Sequence, residues 1–208
     1  MKDFQTAYTE FYNRFDAFMT RYYSSGIQAV PQKLSEIVAE HPLDEPEERE
    51  TNLFLWIMKA ALHFTGDPRM IVQTVKQIGS ILAAKNADYG NSAREPSPFF
   101  GDALSPADCI LVRIGDKIAR ADHLSDGAER QVADESCADT VKDFIGYTIL
   151  LYVTLMIDGA PLHLEPAQED DAAQAALYVS RPMTDRELSE MVKSGDFEIY
   201  LPADIESE

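Results

Sequence analysis

Glu135, Asp139, Asp143 and Tyr147 stand four residues apart in the second half of the chain. On a helix each step of four turns by only about 40°, so the four form a slowly drifting polar stripe on which two or three carboxylates converge. Like charges at that spacing cost about a few tenths of a kcal/mol per pair, so something positive is expected to offset them. One candidate is magnesium, which takes a few carboxylates together with waters and substrate phosphates; Glu135, Asp139 and Asp143 are then its candidate ligands, with Glu135 and Asp139 as the catalytic pair. The other candidate lies just upstream. Arg113, Asp116, Lys117 and Arg120 occupy relative positions 0, +3, +4 and +7, again one helical face.

A short polar connection, Ser125 to Arg130, separates the basic stripe from the acidic one, so the two helices are expected to pack antiparallel with the stripes opposed. Two readings stay open. In one, both stripes are solvated faces joined by surface salt bridges. In the other, Arg113, Lys117 and Arg120 grip a phosphate while the acids hold a metal. A third group is Lys85-Asn86-Ala87-Asp88-Tyr89-Gly90-Asn91. Its plain reading is a helix end and turn, with Asp88 and Asn91 bonding the backbone and Gly90 at positive φ. Its functional reading is a nucleotide-facing corner, with Lys85 reaching a phosphate and Tyr89 stacking on a base.

These groups need helices to position them. Phe4, Tyr8, Phe11, Tyr12, Phe15, Phe18, Met19 and Tyr22 recur at three-and-four spacing and predict a first amphipathic helix ending at Gly26. A short second helix is expected after Pro31, carrying Leu34, Ile37 and Val38. A third should begin after Pro46 with Glu47, Glu48 and Glu50 in its first turn, where acids complement the helix dipole, and run to about Phe64. Asp67-Pro68 opens a fourth, through Ile71, Val75, Ile78, Ile81 and Leu82 to near Lys85. Asn86 to Leu104 reads as a long loop, and Ser105-Pro106 starts a fifth helix. The sixth is expected from about Val132 to Ile157, stopped by Asp158-Gly159-Ala160-Pro161. The fold class is all-α: a compact helical bundle over residues 1–164 with a long internal loop. Residues 165–208 form a small acidic C-terminal appendage, with a short helix opened by Thr184 and Glu187 and a strand-like run at 197–201.

Composition narrows the function. The net charge of -18 repels phosphate backbones and anionic lipid unless the few bases are concentrated, which argues against nonspecific nucleic-acid binding. The longest apolar run, Phe144 to Ile157, is shorter than the roughly 20 residues a membrane span needs and reads as a core helix. Cys109 and Cys137 offer neither a disulfide framework nor zinc-ligand spacing, and no secretory signal is visible, so a reducing, cytoplasmic setting is expected. His41, His63, His123 and His163 are scattered, and Trp56 between Leu55 and Ile57 reads as core.

The series Lys85-Asn86-x-Asp88-Tyr89-Gly90-Asn91, Arg113-x-x-Asp116-Lys117-x-x-Arg120, Glu135-Ser136-x-x-Asp139-Thr140-x-x-Asp143 and Tyr147 resembles the nucleotide-modification-associated domain family of phages and prophages. The match spans about Ile78 to Tyr152. It implies an all-helical domain associated with nucleotide or DNA-base modification. The chain is also similar to the all-helical nucleotide pyrophosphohydrolases, which hold magnesium with acidic pairs on adjacent helices; here the one ExxE-like segment, Glu47 to Glu50, is far from Glu135. With the residue readings above, the candidate ligand is a nucleoside phosphate, held by Lys85, Asp88, Tyr89, Arg113, Lys117, Arg120 and Tyr147. By analogy with the helical hydrolases it also implies a homodimer. Three functions compete: a magnesium-dependent nucleotide hydrolase, a nucleotide-binding module without turnover, and an acidic protein that imitates DNA.

Overall fold

The computed structural model describes residues 3–25, 33–88, 103–126 and 136–162. Within them the chain is all-α, with six helices and no strand. The helices are α1 (Phe4–Ser25), α2 (Leu34–Glu40), α3 (Arg49–Thr65), α4 (Ile71–Asp88), α5 (Pro106–Ser125) and α6 (Cys137–Ile157), with a 3-10 turn at Pro68–Met70 leading into α4. The expected appendage at 165–208 lies outside the described residues, as do Pro31 and Gly26.

α6 is the centre of the bundle, in contact with α1, α3, α4 and α5. By length and composition it is apolar enough to cross a membrane, and 72% of its most apolar window is buried inside the fold. The aromatic stripe of α1 explains how the first helix joins it. Phe11, Phe15 and Phe18 are almost fully buried and all three meet Phe54 of α3, at ring-centroid distances of 5.9, 5.5 and 5.3 Å. Phe54 in turn stacks on Tyr152 of α6 at 5.1 Å. Such pairs add about 0.5–1.5 kcal/mol each beyond the area they bury. Trp56 is core, as expected: it is 3% exposed, and its Nε1 donates to the His41 carbonyl at 2.8 Å.

One of the first-turn acids is not at the surface. Glu50 lies in the first turn of α3, yet it is fully buried. Arg14 of α1 donates to both of its oxygens from Nε and Nη2, and the Tyr152 hydroxyl donates to Oε1 at 2.7 Å. An unpaired carboxylate could not survive there, and the bidentate guanidinium is what keeps it. The Tyr152 hydroxyl is pushed well above its ordinary pKa by burial, and further by the adjacent carboxylate. Helices α1, α3 and α6 thus share one polar knot centred on a buried carboxylate.

α1 also approaches α4 closely. A Cβ at Gly79 would lie 1.9 Å from the Tyr12 hydroxyl and 2.1 Å from the Tyr8 hydroxyl, so only glycine fits beneath them. The two hydroxyls bond each other, and that of Tyr12 donates to the carbonyls of Val75 and Lys76 at 3.3 Å. Burial pushes the Tyr8 hydroxyl up to about 12. α4 runs on through Lys85 to Asp88, so Asn86, expected in a loop, is instead a buried helical residue.

The short α2 caps its own start, the Lys33 amide donating to Glu36 Oε2 at 3.3 Å, and is also held from outside its own sequence. Asp122, near the end of α5, accepts from the Leu34 amide at 3.0 Å and the Ser35 amide at 3.5 Å, and Lys33 pairs with Asp126 at 2.5 Å.

Candidate functional site

The two stripes singled out in the sequence do face each other. Lys117 Nζ lies 2.9 Å from Asp143 Oδ2. One turn away on each helix, the Arg113 guanidinium lies 6.0 Å from the centroid of the Tyr147 ring, and Lys117 Nζ reaches the same ring at the same distance. Position 117 opposing 143 while 113 opposes 147 fixes the pair as antiparallel. Both contacts sit at the outer edge of the cation–π range, so the ring is flanked by two cations without being covered by either. Local sequence explains the arrangement. Ile110, Ile114 and Ala121 bury one side of α5 and leave Arg113 exposed and Lys117 half-buried beside the rising face of α6. On α6, Phe144, Ile145 and Thr148 turn inward, leaving Asp143 exposed and Tyr147 half-buried. Arg120 is half-buried one turn beyond Lys117.

The acidic stripe differs from its expected form at its start. α6 begins at Cys137, and its N-cap Ser136 has extended backbone (φ -80°, ψ 162°). Regular helical steps relate Asp139 to Asp143 and Tyr147. Glu135 and Tyr89 themselves lie outside the described residues. Asp139 is the third residue of a capping box: its Oδ2 accepts from the Ser136 amide at 3.2 Å and the Ser136 hydroxyl at 2.7 Å, while the Ser136 hydroxyl oxygen accepts from the Asp139 amide at 3.1 Å. Its other oxygen, Oδ1, accepts from Lys142 at 3.3 Å. The Ser136 hydroxyl, first among several donors, holds the Asp139 carboxyl below the usual aspartate range. α5 opens the same way, with Ser105 and Asp108. Sequence reasoning passed over Lys142 and over the S-x-x-D signature at Ser136, although that pattern marks a helix start.

Lys85 and Asp88 are exposed on the last turn of α4, and none of the contacts among the described residues joins them to Arg113, Lys117 or Tyr147. No family model, curated protein or solved structure matches the chain. The site is therefore read from its own residues.

Of the three candidate magnesium ligands, Glu135 lies outside the described residues, and Asp139 and Asp143 already have partners. Both oxygens of Asp139 are committed to the cap and to Lys142, Asp143 holds Lys117, and among the described residues no three His, Cys, Asp or Glu side chains gather closely enough to hold an ion. What the seam offers is a planar ring bordered by a guanidinium and an ammonium, with one carboxylate beside them. That set suits an anion attached to a flat aromatic group.

Proposed function

We propose that the seam between α5 and α6 binds a nucleoside phosphate, in the service of nucleotide or nucleobase modification. The observation that carries this reading is the convergence of Arg113 and Lys117, from one helix, on the Tyr147 ring of the next, in a chain whose net charge is -18. In so acidic a protein, two cations sharing a ring are a local concentration of positive charge, and a phosphate is the common anion that arrives with a stacking partner. The resemblance of the stretch from Ile78 to Tyr152 to the nucleotide-modification-associated family supports the same ligand. Arg113 supplies a planar fork for phosphate oxygens, Lys117 a mobile point charge, and Tyr147 a face for the base. Binding is the role these groups support; no catalytic step is assigned to Asp139, whose carboxylate caps α6.

The test is a thermal-shift screen of nucleosides and their mono-, di- and triphosphates, each with and without magnesium. A phosphorylated ligand at 100 times its dissociation constant should add about 2.7 kcal/mol of stability, and the parent nucleoside much less. Equal response to nucleosides and nucleotides, or no response to either, rejects the reading. A shift that depends wholly on magnesium would return the acids of α6 to a metal role.

A further inference from the structure

The two cations at the seam differ in what they already hold. Lys117 is ion-paired to Asp143, with their side chains 24% and 47% exposed, whereas the exposed Arg113 has the Tyr147 ring as its partner among the described residues. A carboxylate oxygen 2.9 Å from an ammonium takes one of its three N–H donors and offsets its charge, so it competes with a phosphate oxygen for the same charge-assisted interaction. We infer that Asp143 is an internal competitor for the anion. In the free protein its carboxylate occupies Lys117. Arg113 takes the first phosphate oxygen, and Lys117 joins with its remaining N–H donors, its pull reduced by the neighbouring Asp143 charge. This inference rests on the seam being the phosphate site, and it gives Asp143 a role opposite to metal ligation: its charge opposes ligand binding.

The size of the effect follows from the exposure of the pair. A solvent-accessible Lys–Asp pair is worth up to about 1 kcal/mol, which corresponds to about a fivefold change in affinity. Removing Asp143's charge should therefore tighten anion binding by about that factor at low salt, and by less as salt screens the pair. Asp116 provides the control, being another exposed acid on α5, one residue from Lys117 in sequence and without an ion-pair partner among the described residues.

Calorimetric titration of the full chain with pyrophosphate, at fixed low ionic strength and without divalent metal, tests this. Asp143→Asn should bind about fivefold tighter than the wild type and Asp116→Asn by a smaller factor; Arg113→Gln should lose most of the affinity. Asp143→Asn added to Lys117→Gln should give no more than the Asp116→Asn gain, because the lysine it releases is gone. If the wild type binds pyrophosphate and Asp143→Asn binds no tighter, or no tighter than Asp116→Asn, the competitor role fails while the phosphate site stands. If neither the wild type nor Asp143→Asn binds pyrophosphate, both fail together.

Discussion

Replacing Asp139 with Asn keeps the shape of the side chain and removes its charge, which separates a capping role from a metal-binding one. The carboxylate accepts two hydrogen bonds from Ser136 and one from Lys142, at the positive end of α6. Asn retains one acceptor oxygen, so the hydrogen bond to the Ser136 amide survives in weakened form. The charge term is lost: about 0.3–1 kcal/mol for an acid in a first turn, with the exposed Lys142 pair adding little. Half of the side chain is solvated, which places the expected loss at about 0.5–1 kcal/mol. With a urea m-value of about 2 kcal/mol/M, the unfolding midpoint should fall by about 0.25–0.5 M. The pH dependence has a definite sign. The folded carboxyl is held below its ordinary value, so its contribution is complete above the usual aspartate range and is lost as pH falls through the lowered pKa; Asp139→Asn should flatten that acid limb. Ser136→Ala acts on the same box, so the double variant should lose less than the sum of the two. A variant as stable as the wild type or more so, as relief of carboxylate repulsion would produce, refutes the capping argument. So does full additivity with Ser136→Ala.

Two further outcomes follow from the interior. Glu50→Gln removes the buried counter-ion of Arg14, leaving it only the longer, half-exposed pair with Glu10 at 3.9 Å, and should cost about 3 kcal/mol, the low end of the range for a broken buried pair because Arg14 is itself 30% exposed; thermal and urea unfolding that move by less than about 1 kcal/mol would contradict the buried knot. Gly79→Ala should destabilise by about 1–3 kcal/mol despite alanine's better helix propensity, and combining it with Tyr8→Phe and Tyr12→Phe should recover much of that loss, as measured by denaturation midpoints.

The helices were legible because their signals are local. The aromatic spacing of α1, Asp67-Pro68, Ser105-Pro106 and Asp158-Gly159 each mark an element within a few residues. The opposition of Lys117 to Asp143 and of Arg113 to Tyr147 was legible for a related reason: two i,i+4 stripes flanking a short connection have one simple antiparallel register. The start of α6 is harder to read: taken as one stripe, the acids carry a helix back to about Val132, whereas Ser136 with Asp139 forms the cap at which α6 begins. Glu50 had no such cue. Its partners Arg14 and Tyr152 are 36 and 102 residues away, and beside Glu47 and Glu48 it looks like any first-turn acid. Gly79 likewise reads as a weak point in a helix until Tyr8 and Tyr12 are seen above it.

The hold of Asp122 on the first amides of α2 bears on the order in which the chain acquires structure. Seven residues are too few to sustain a helix in water, because nucleation fixes several dihedrals before it gains a hydrogen bond. The groups that complete the first turn of α2 lie 88 residues downstream. Closing a loop of that length has a large entropic cost, met only once α5 is in place. α2 is thus a late structure: substitutions within it should speed unfolding and leave the folding rate nearly unchanged, whereas substitutions in α5 and α6 should slow folding.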